Sequence, residues 1–295
     1  MASLRPPASP LSRAIPAAEP YVQRLLHEIS SGHVELPSWS NQTEQVRMAL
    51  DSDTVRIEEI ARLLASDAGL AVRVLAMANS ALFARTRRPL MDLRLAVLRL
   101  GLENVRGAVY AHALAQLRRA PKLAPLRAQL AHLAEESACV AALTRLIAQQ
   151  VDDDEVNPAQ ALLAGLLHNI GKLYLLVRMN EGAPPPGDRS IRDAIFNERQ
   201  ASIGQALAAS WNLPAPLCQA IAEQRCAADT DLVGRTGLSR VLSVAITVSQ
   251  DSDTPEQTAE FLADTGTFHV DVSGWLDLLN RAREQRAGLS ATFGD

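Results

Sequence analysis

Asn157-Pro158-Ala159-Gln160-Ala161-Leu162-Leu163-Ala164-Gly165-Leu166-Leu167-His168-Asn169-Ile170-Gly171-Lys172 contains a helix start, an unbroken apolar run and then an abrupt change to polar side chains. Asn157 can cap, and Pro158 suits the first helical position because its missing N–H has no partner there anyway. Apolar side chains nearly all round the next ten residues require partners on every side, so residues 159–168 are expected as a core helix. His168 and Asn169 then stand at the end of a buried element.

The same period runs outward in both directions. Ile57, Ile60, Leu63 and Leu64 share one face, as do Leu70, Val74 and Met77 in the next segment, for which Ser66 is the expected N-cap. Asp92 caps a third helix that Gly101 should end with a left-handed residue, and Val105, Ala108, Val109 and His112 line a fourth. Further helices are expected over 21–29, 126–150, 238–248 and 272–283, and Trp211-Asn212-Leu213-Pro214 separates another pair. No alternating strand pattern occurs. Of the 295 residues 47% are hydrophobic but only 4% aromatic, a composition for closely packed Ala/Leu helices. The expected fold is all-α, a two-lobed helical bundle. Residues 1–19, dense in proline, form a flexible lead-in. Residues 20–230 form the main domain, with lobes at 20–122 and 123–230, and residues 231–295 form a helical extension packed on the second lobe.

A net charge of −4 excludes a basic field for bulk nucleic-acid binding. Cys139, Cys218 and Cys226 lack CxxC spacing and read as small buried hydrophobes of a reducing cytoplasm. No apolar run approaches the roughly 20 residues that span a bilayer, and no signal-peptide stretch opens the chain. Asp152, Asp153, Asp154 and Glu155 lack calcium-loop spacing and read as a solvated connection. His112 reads as a hydrogen-bonded core histidine.

His168 is the residue with chemical potential. An adjacent His and Asp can both reach one divalent ion, as in a metal-dependent phosphohydrolase. Asn169 keeps the shape of Asp without its charge. In its own right Asn169 is expected to cap or satisfy backbone groups, Gly171 to permit a turn, and Lys172 to be solvated. Asn79 is expected to tie off its helix end and the loop that follows.

Two ordered sets of motifs resemble the HDOD domain family. In the first half these are Ser66-Asp67-Ala68-Gly69-Leu70, Asn79-Ser80-Ala81 and Leu95 to Gly101; in the second, Ala164 to Lys172 and Trp211-Asn212-Leu213-Pro214. The likeness runs from Leu36 to Cys226. It implies an all-helical bacterial regulatory protein whose second lobe descends from the HD phosphohydrolases. Asp67, Asn79, Ser80, Gly101, Gly171, Trp211 and Pro214 would then be motif residues with mainly structural work. By the same resemblance the metal-ligand positions fall at Glu136, His168, Asn169, Gln200, Gln224, Arg225 and Ile246, so only His168 retains its HD identity. A catalytic ion usually needs three protein ligands, and without it no activated water is generated.

The resemblance therefore implies a non-enzymatic, cytoplasmic signalling protein that binds a protein partner, with no cofactor, no metal and no membrane association. Two alternatives stay open. One is nucleotide binding or residual phosphohydrolysis in the former cleft, through His168 and Lys172. The other is a phosphate-binding patch at Arg85, Arg87 and Arg88, for nucleic acid or a cyclic dinucleotide. Neither stacking aromatics nor a glycine-rich loop supports that patch.

Overall fold

The computed structural model describes residues 10–31, 40–52, 54–84, 89–151, 156–181, 189–224, 237–250, 255–264, 268 and 270–293. Those residues form helices and their connections, without a strand. Helix α1 (Pro10–Ser30) precedes the first lobe, which is built from α2 (Asn41–Leu50), α3 (Ile57–Ala65), α4 (Ala68–Asn79), α5 (Leu93–Leu100) and α6 (Leu102–Arg119). After a 3₁₀ turn (Pro121–Leu126) come α7 (Arg127–Gln150), α8 (Pro158–Leu167), α9 (Ile170–Asn180), α10 (Arg189–Ser210), α11 (Ala215–Glu223) and α12 (Gly237–Gln250). Two more helices follow, α13 (Pro255–Asp264) and α14 (Val272–Phe293).

Helix α8 is as buried as its sequence demands, from Ala161 through Leu167, and Asn157 Oδ1 accepts from the Ala159 N–H at 2.8 Å. Its two sides serve different cores. Leu162 and Leu166 join Leu70, Leu100 and Val105 in the first lobe, whereas Leu163 and Leu167 join Leu217, Val241 and Trp275 in the second. Helix α7 lies against α8 so closely that a Cβ on Gly165 would sit 2.4 Å from the Ala141 Cα. The alanine-rich composition is thus realised as backbone approach. Stacking of Tyr110 on Trp211, with centroids 5.3 Å apart, joins the lobes again. Within the first lobe Arg106 ties α6 to the end of α2, bonding the Asp51 carboxylate and the Leu50 carbonyl.

Several local expectations change. Asp67, not Ser66, caps α4: its carboxylate accepts from the Leu70 N–H at 3.0 Å from an extended backbone (φ −120°, ψ 105°). Ser66 keeps a helical backbone and ends α3, its hydroxyl donating to the Leu63 carbonyl at 2.7 Å. Asp92 does cap α5, accepting from Leu95 N–H at 2.9 Å. Gly101 has φ +74° but ψ 159°, outside the left-handed helical basin. This extended positive-φ geometry is one that glycine adopts without a Cβ penalty, and it lets one residue close α5 and open α6. Asn212, at φ 55°, makes the left-handed turn before Leu213 and Pro214.

The largest departure is α1. It starts at Pro10 and runs through Pro16 and Pro20, where residues 1–19 were expected to be irregular and helix to begin at Tyr21. Pro10 fits the first helical position. The cost of the interior prolines is offset by burial of Tyr21, Val22, Leu25 and Ile29 with Leu175, Ile195 and Leu207. Residues 1–9 lie outside the described residues. The segment Pro158–Asn180 is also longer and more apolar than expected: by length and composition it could cross a membrane. It is instead two helices, α8 and α9, and 83% of its most apolar window is buried inside the protein.

Candidate functional site

Helix α8 ends at His168, which is 2% exposed. Its Nδ1 lies 2.7 Å from the Gly165 carbonyl; a carbonyl only accepts, so this nitrogen carries the hydrogen and Nε2 presents a lone pair in the neutral ring. Nε2 stands 3.9 Å from Glu136 Oε1, on α7. Lys172 Nζ, one turn into α9, stands 3.9 Å from the same oxygen. Burial alone would raise the Glu136 carboxyl, but His168 in its protonated form, which carries a hydrogen on Nε2 as well, Lys172 and a hydrogen bond from Gln250 hold it down at about 2. Gln224, just beyond α11, donates its amide nitrogen to the His168 carbonyl at 2.8 Å.

These groups line one groove of about 830 Å³ together with Gln200 of α10 and Ile246 of α12. Six of the positions singled out in the sequence, Glu136, His168, Lys172, Gln200, Gln224 and Ile246, therefore meet. Glycines set the walls. A Cβ on Gly171 would lie 1.9 Å from the Gln200 carbonyl oxygen, and one on Gly204 3.0 Å from Ile221. Gly171 is thus a helix-crossing residue within α9, not the turn residue expected.

Asn169 is the exception. Only 3% exposed, it does not line that groove but a separate cavity of about 40 Å³ with Ala111, Leu130, Ser137, Leu166 and Leu173. It occupies the N-cap position of α9 without a side-chain capping bond, and neither its Oδ1 nor its Nδ2 has a hydrogen-bond partner. The expectation that it caps or satisfies backbone groups is therefore overturned. The backbone turns between His168 and Asn169, so adjacent side chains leave α8 towards different spaces.

The donor set does not fit a catalytic divalent ion. His168, Glu136 and Glu198 line the groove, but no group of three or more His, Cys, Asp or Glu placed to hold an ion occurs among the described residues. Lys172 already places a positive charge beside the Glu136 carboxylate. Arg225, like the patch of Arg85, Arg87 and Arg88, lies outside the described residues, as do Cys226 and the acidic run at 152–155. Of the arginines near that patch, Arg94 pairs with Glu58 at 3.6 Å and Arg99 reaches the Ala78 carbonyl at 3.2 Å.

Elsewhere the polar motif residues are structural. Asn79 Nδ2 donates to the Leu90 carbonyl at 2.8 Å and its Oδ1 accepts from the Leu90 N–H at 2.7 Å, clamping the connection to α5 rather than the end of α4. Ser80 donates to the Met77 carbonyl. His112 is buried beside Asp67 Oδ2 (3.4 Å) and Gln116 (2.8 Å); burial lowers its pKa against the pull of Asp67. Burial likewise raises the Cys218 thiol, which contacts the Leu213 carbonyl. Gln250 was missed at the site. It lies one helical turn beyond Ile246, and the helical period would have found it. The salt bridge from groove-lining Arg199 to Glu19 at 2.6 Å had no local signal, because it joins residues far apart in the chain.

A family model described as HDOD domain matches residues 36–226. An HDOD domain protein of unknown function from Geobacter sulfurreducens is 25% identical, with a TM-score of 0.64 and coverage of 93% of this chain and 98% of its own. A provisionally assigned metal-dependent phosphohydrolase from Shewanella amazonensis shares the fold, with a TM-score of 0.68, 19% identity and coverage of 92% and 99%. An uncharacterized protein of Treponema pallidum is 26% identical over 200 residues, 63% of this chain; the match spans 37% of that relative's length.

Proposed function

Since the chain belongs to the HDOD domain family, we propose that it is a non-enzymatic regulatory protein of cytoplasmic bacterial signalling, acting by binding a protein partner. The observation that carries this reading is the groove itself. Where an HD phosphohydrolase would need three or more metal ligands, His168 and Glu136 stand with Lys172, Gln200, Gln224 and Ile246. No water can be brought towards neutral pKa by such a set. A protein partner is further supported by Leu95 and Leu98 on α5 and Met91 just before its N-cap, large apolar side chains exposed by 43%, 55% and 90%.

The test is hydrolysis of bis-p-nitrophenyl phosphate with Mn²⁺ or Mg²⁺, alongside the metal content of the purified chain. Turnover no faster than buffer, unchanged by His168→Ala, is expected. Metal-dependent turnover abolished by His168→Ala would overturn the reading. Asn169→Asp should not create activity, because that side chain lines the other cavity; it should only lower stability, by about 1–3 kcal/mol, through burial of an unpaired carboxylate.

A further inference from the structure

We infer that the groove over His168 binds the ammonium or guanidinium group of a ligand, a conclusion that rests on reading the groove as non-catalytic. The hydrogen-bonding balance of its wall is one-sided. His168 Nε2, Gln200 Oε1 and Gln224 Oε1 are buried without a hydrogen-bond partner, and all three residues line the groove. His168 and Gln224 are 2% and 5% exposed. Their roles follow from their neighbours. Gln224 gives its amide nitrogen to the His168 carbonyl, which leaves its oxygen to accept. His168 gives its Nδ1 hydrogen to the Gly165 carbonyl, which leaves the Nε2 lone pair. The Glu136 carboxylate adds a charged acceptor beside them.

Asn197 and Gln205 add exposed amides that can donate as well as accept, but the charged donors are already engaged. Lys172 faces Glu136 at 3.9 Å, and Arg199 is engaged by Glu19 at 2.6 Å. A phosphate entering here would meet a carboxylate and unsatisfied acceptors, which repel it. A group with several N–H donors and a positive charge would satisfy those acceptors and share Glu136 with Lys172. The groove, at about 830 Å³, lies within the roughly 300–1,000 Å³ of small-ligand pockets, so the cation arrives on a longer body. That body is either a small amine or guanidine compound or the arginine or lysine side chain of a bound protein.

Calorimetric titration of the full chain with agmatine, with N-acetyl-arginine amide and with inorganic phosphate separates these cases. At least one cationic probe should bind and phosphate should not. Tighter binding of agmatine indicates a free small molecule; tighter binding of the capped arginine indicates a side chain of a partner. Lys172→Met should strengthen the cation's binding by at least about fivefold, because it removes a competing charge, whereas an anion site would weaken. Gln200→Glu should strengthen it and Gln200→Arg abolish it, with thermal melts confirming that each variant folds. Silence from both cationic probes in wild type and Lys172→Met, or phosphate binding lost in Lys172→Met, overturns the inference. If hydrolysis is also absent, the regulatory reading survives that failure; metal-dependent hydrolysis defeats the reading itself.

Discussion

Asn79 and Asn169 stand at helix ends in the two lobes and treat their amides in opposite ways. Asn79 uses both atoms on the backbone of Leu90, 2.8 and 2.7 Å away, and the loop before α5 is held by that clamp. Asn169 is buried with both atoms unbonded, one residue from a His168 that also keeps a free nitrogen. A buried amide without partners costs about 1–3 kcal/mol, so Asn169 carries a burden that Asn79 does not. Asn79 fastens the fold, while Asn169 and His168 keep hydrogen-bonding capacity in reserve around two spaces.

The contrast should be sharpest when the second lobe's geometry is disturbed through the backbone that positions these amides. Gly171→Ala forces a methyl into the Gln200 carbonyl. Urea unfolding should report a loss of at least about 3 kcal/mol, and a loss under 1 kcal/mol would mean the crossing of α9 and α10 is loose. Next in size is the direct comparison. Asn79→Ala should cost about 2 kcal/mol, since it removes two hydrogen bonds and strands the Leu90 groups. Asn169→Ala should cost less than about 1 kcal/mol, because a small cavity replaces an unsatisfied amide. Equal costs would erase the distinction between the two asparagines.

The remaining effect is a pH dependence, not visible at neutral pH, far from the window concerned. The folded pKa of Glu136, about 2, lies below its ordinary 4.5, so the carboxylate contributes stability above pH 4.5 that is lost as the pH falls towards 2. Glu136→Gln should flatten the acid limb of stability over that window, by on the order of 1–3 kcal/mol. An unchanged acid limb would show that Glu136 is not held by His168 and Lys172.

Helix period and caps made the all-α fold and most of α3 to α8 legible, because those signals are local: Asp92, Asn157 and the apolar α8 behave as isolated-helix rules require. The resemblance ordered Glu136, Gln200 and Gln224 around His168, and the groove brings them together. What escaped was set by contacts between distant segments. The proline rules fail for α1 because α10 supplies the burial that offsets them. Gly171 carries no mark that separates a turn glycine from a crossing glycine. Nor does the sequence say that His168 and Asn169, neighbours in the chain, open into different spaces.

The docking of α1 on α10 has a consequence for synthesis. Glu28 meets Arg178 of α9 and Glu19 meets Arg199 of α10, so the partners of this helix are completed only when residues 180 positions downstream of Glu19 have been translated. At roughly 5–20 residues per second, its apolar stripe of Tyr21, Val22, Leu25 and Ile29 waits on the order of ten seconds or more outside the ribosome. Burial of that stripe is therefore among the late events of folding, completed only when α10 closes over it.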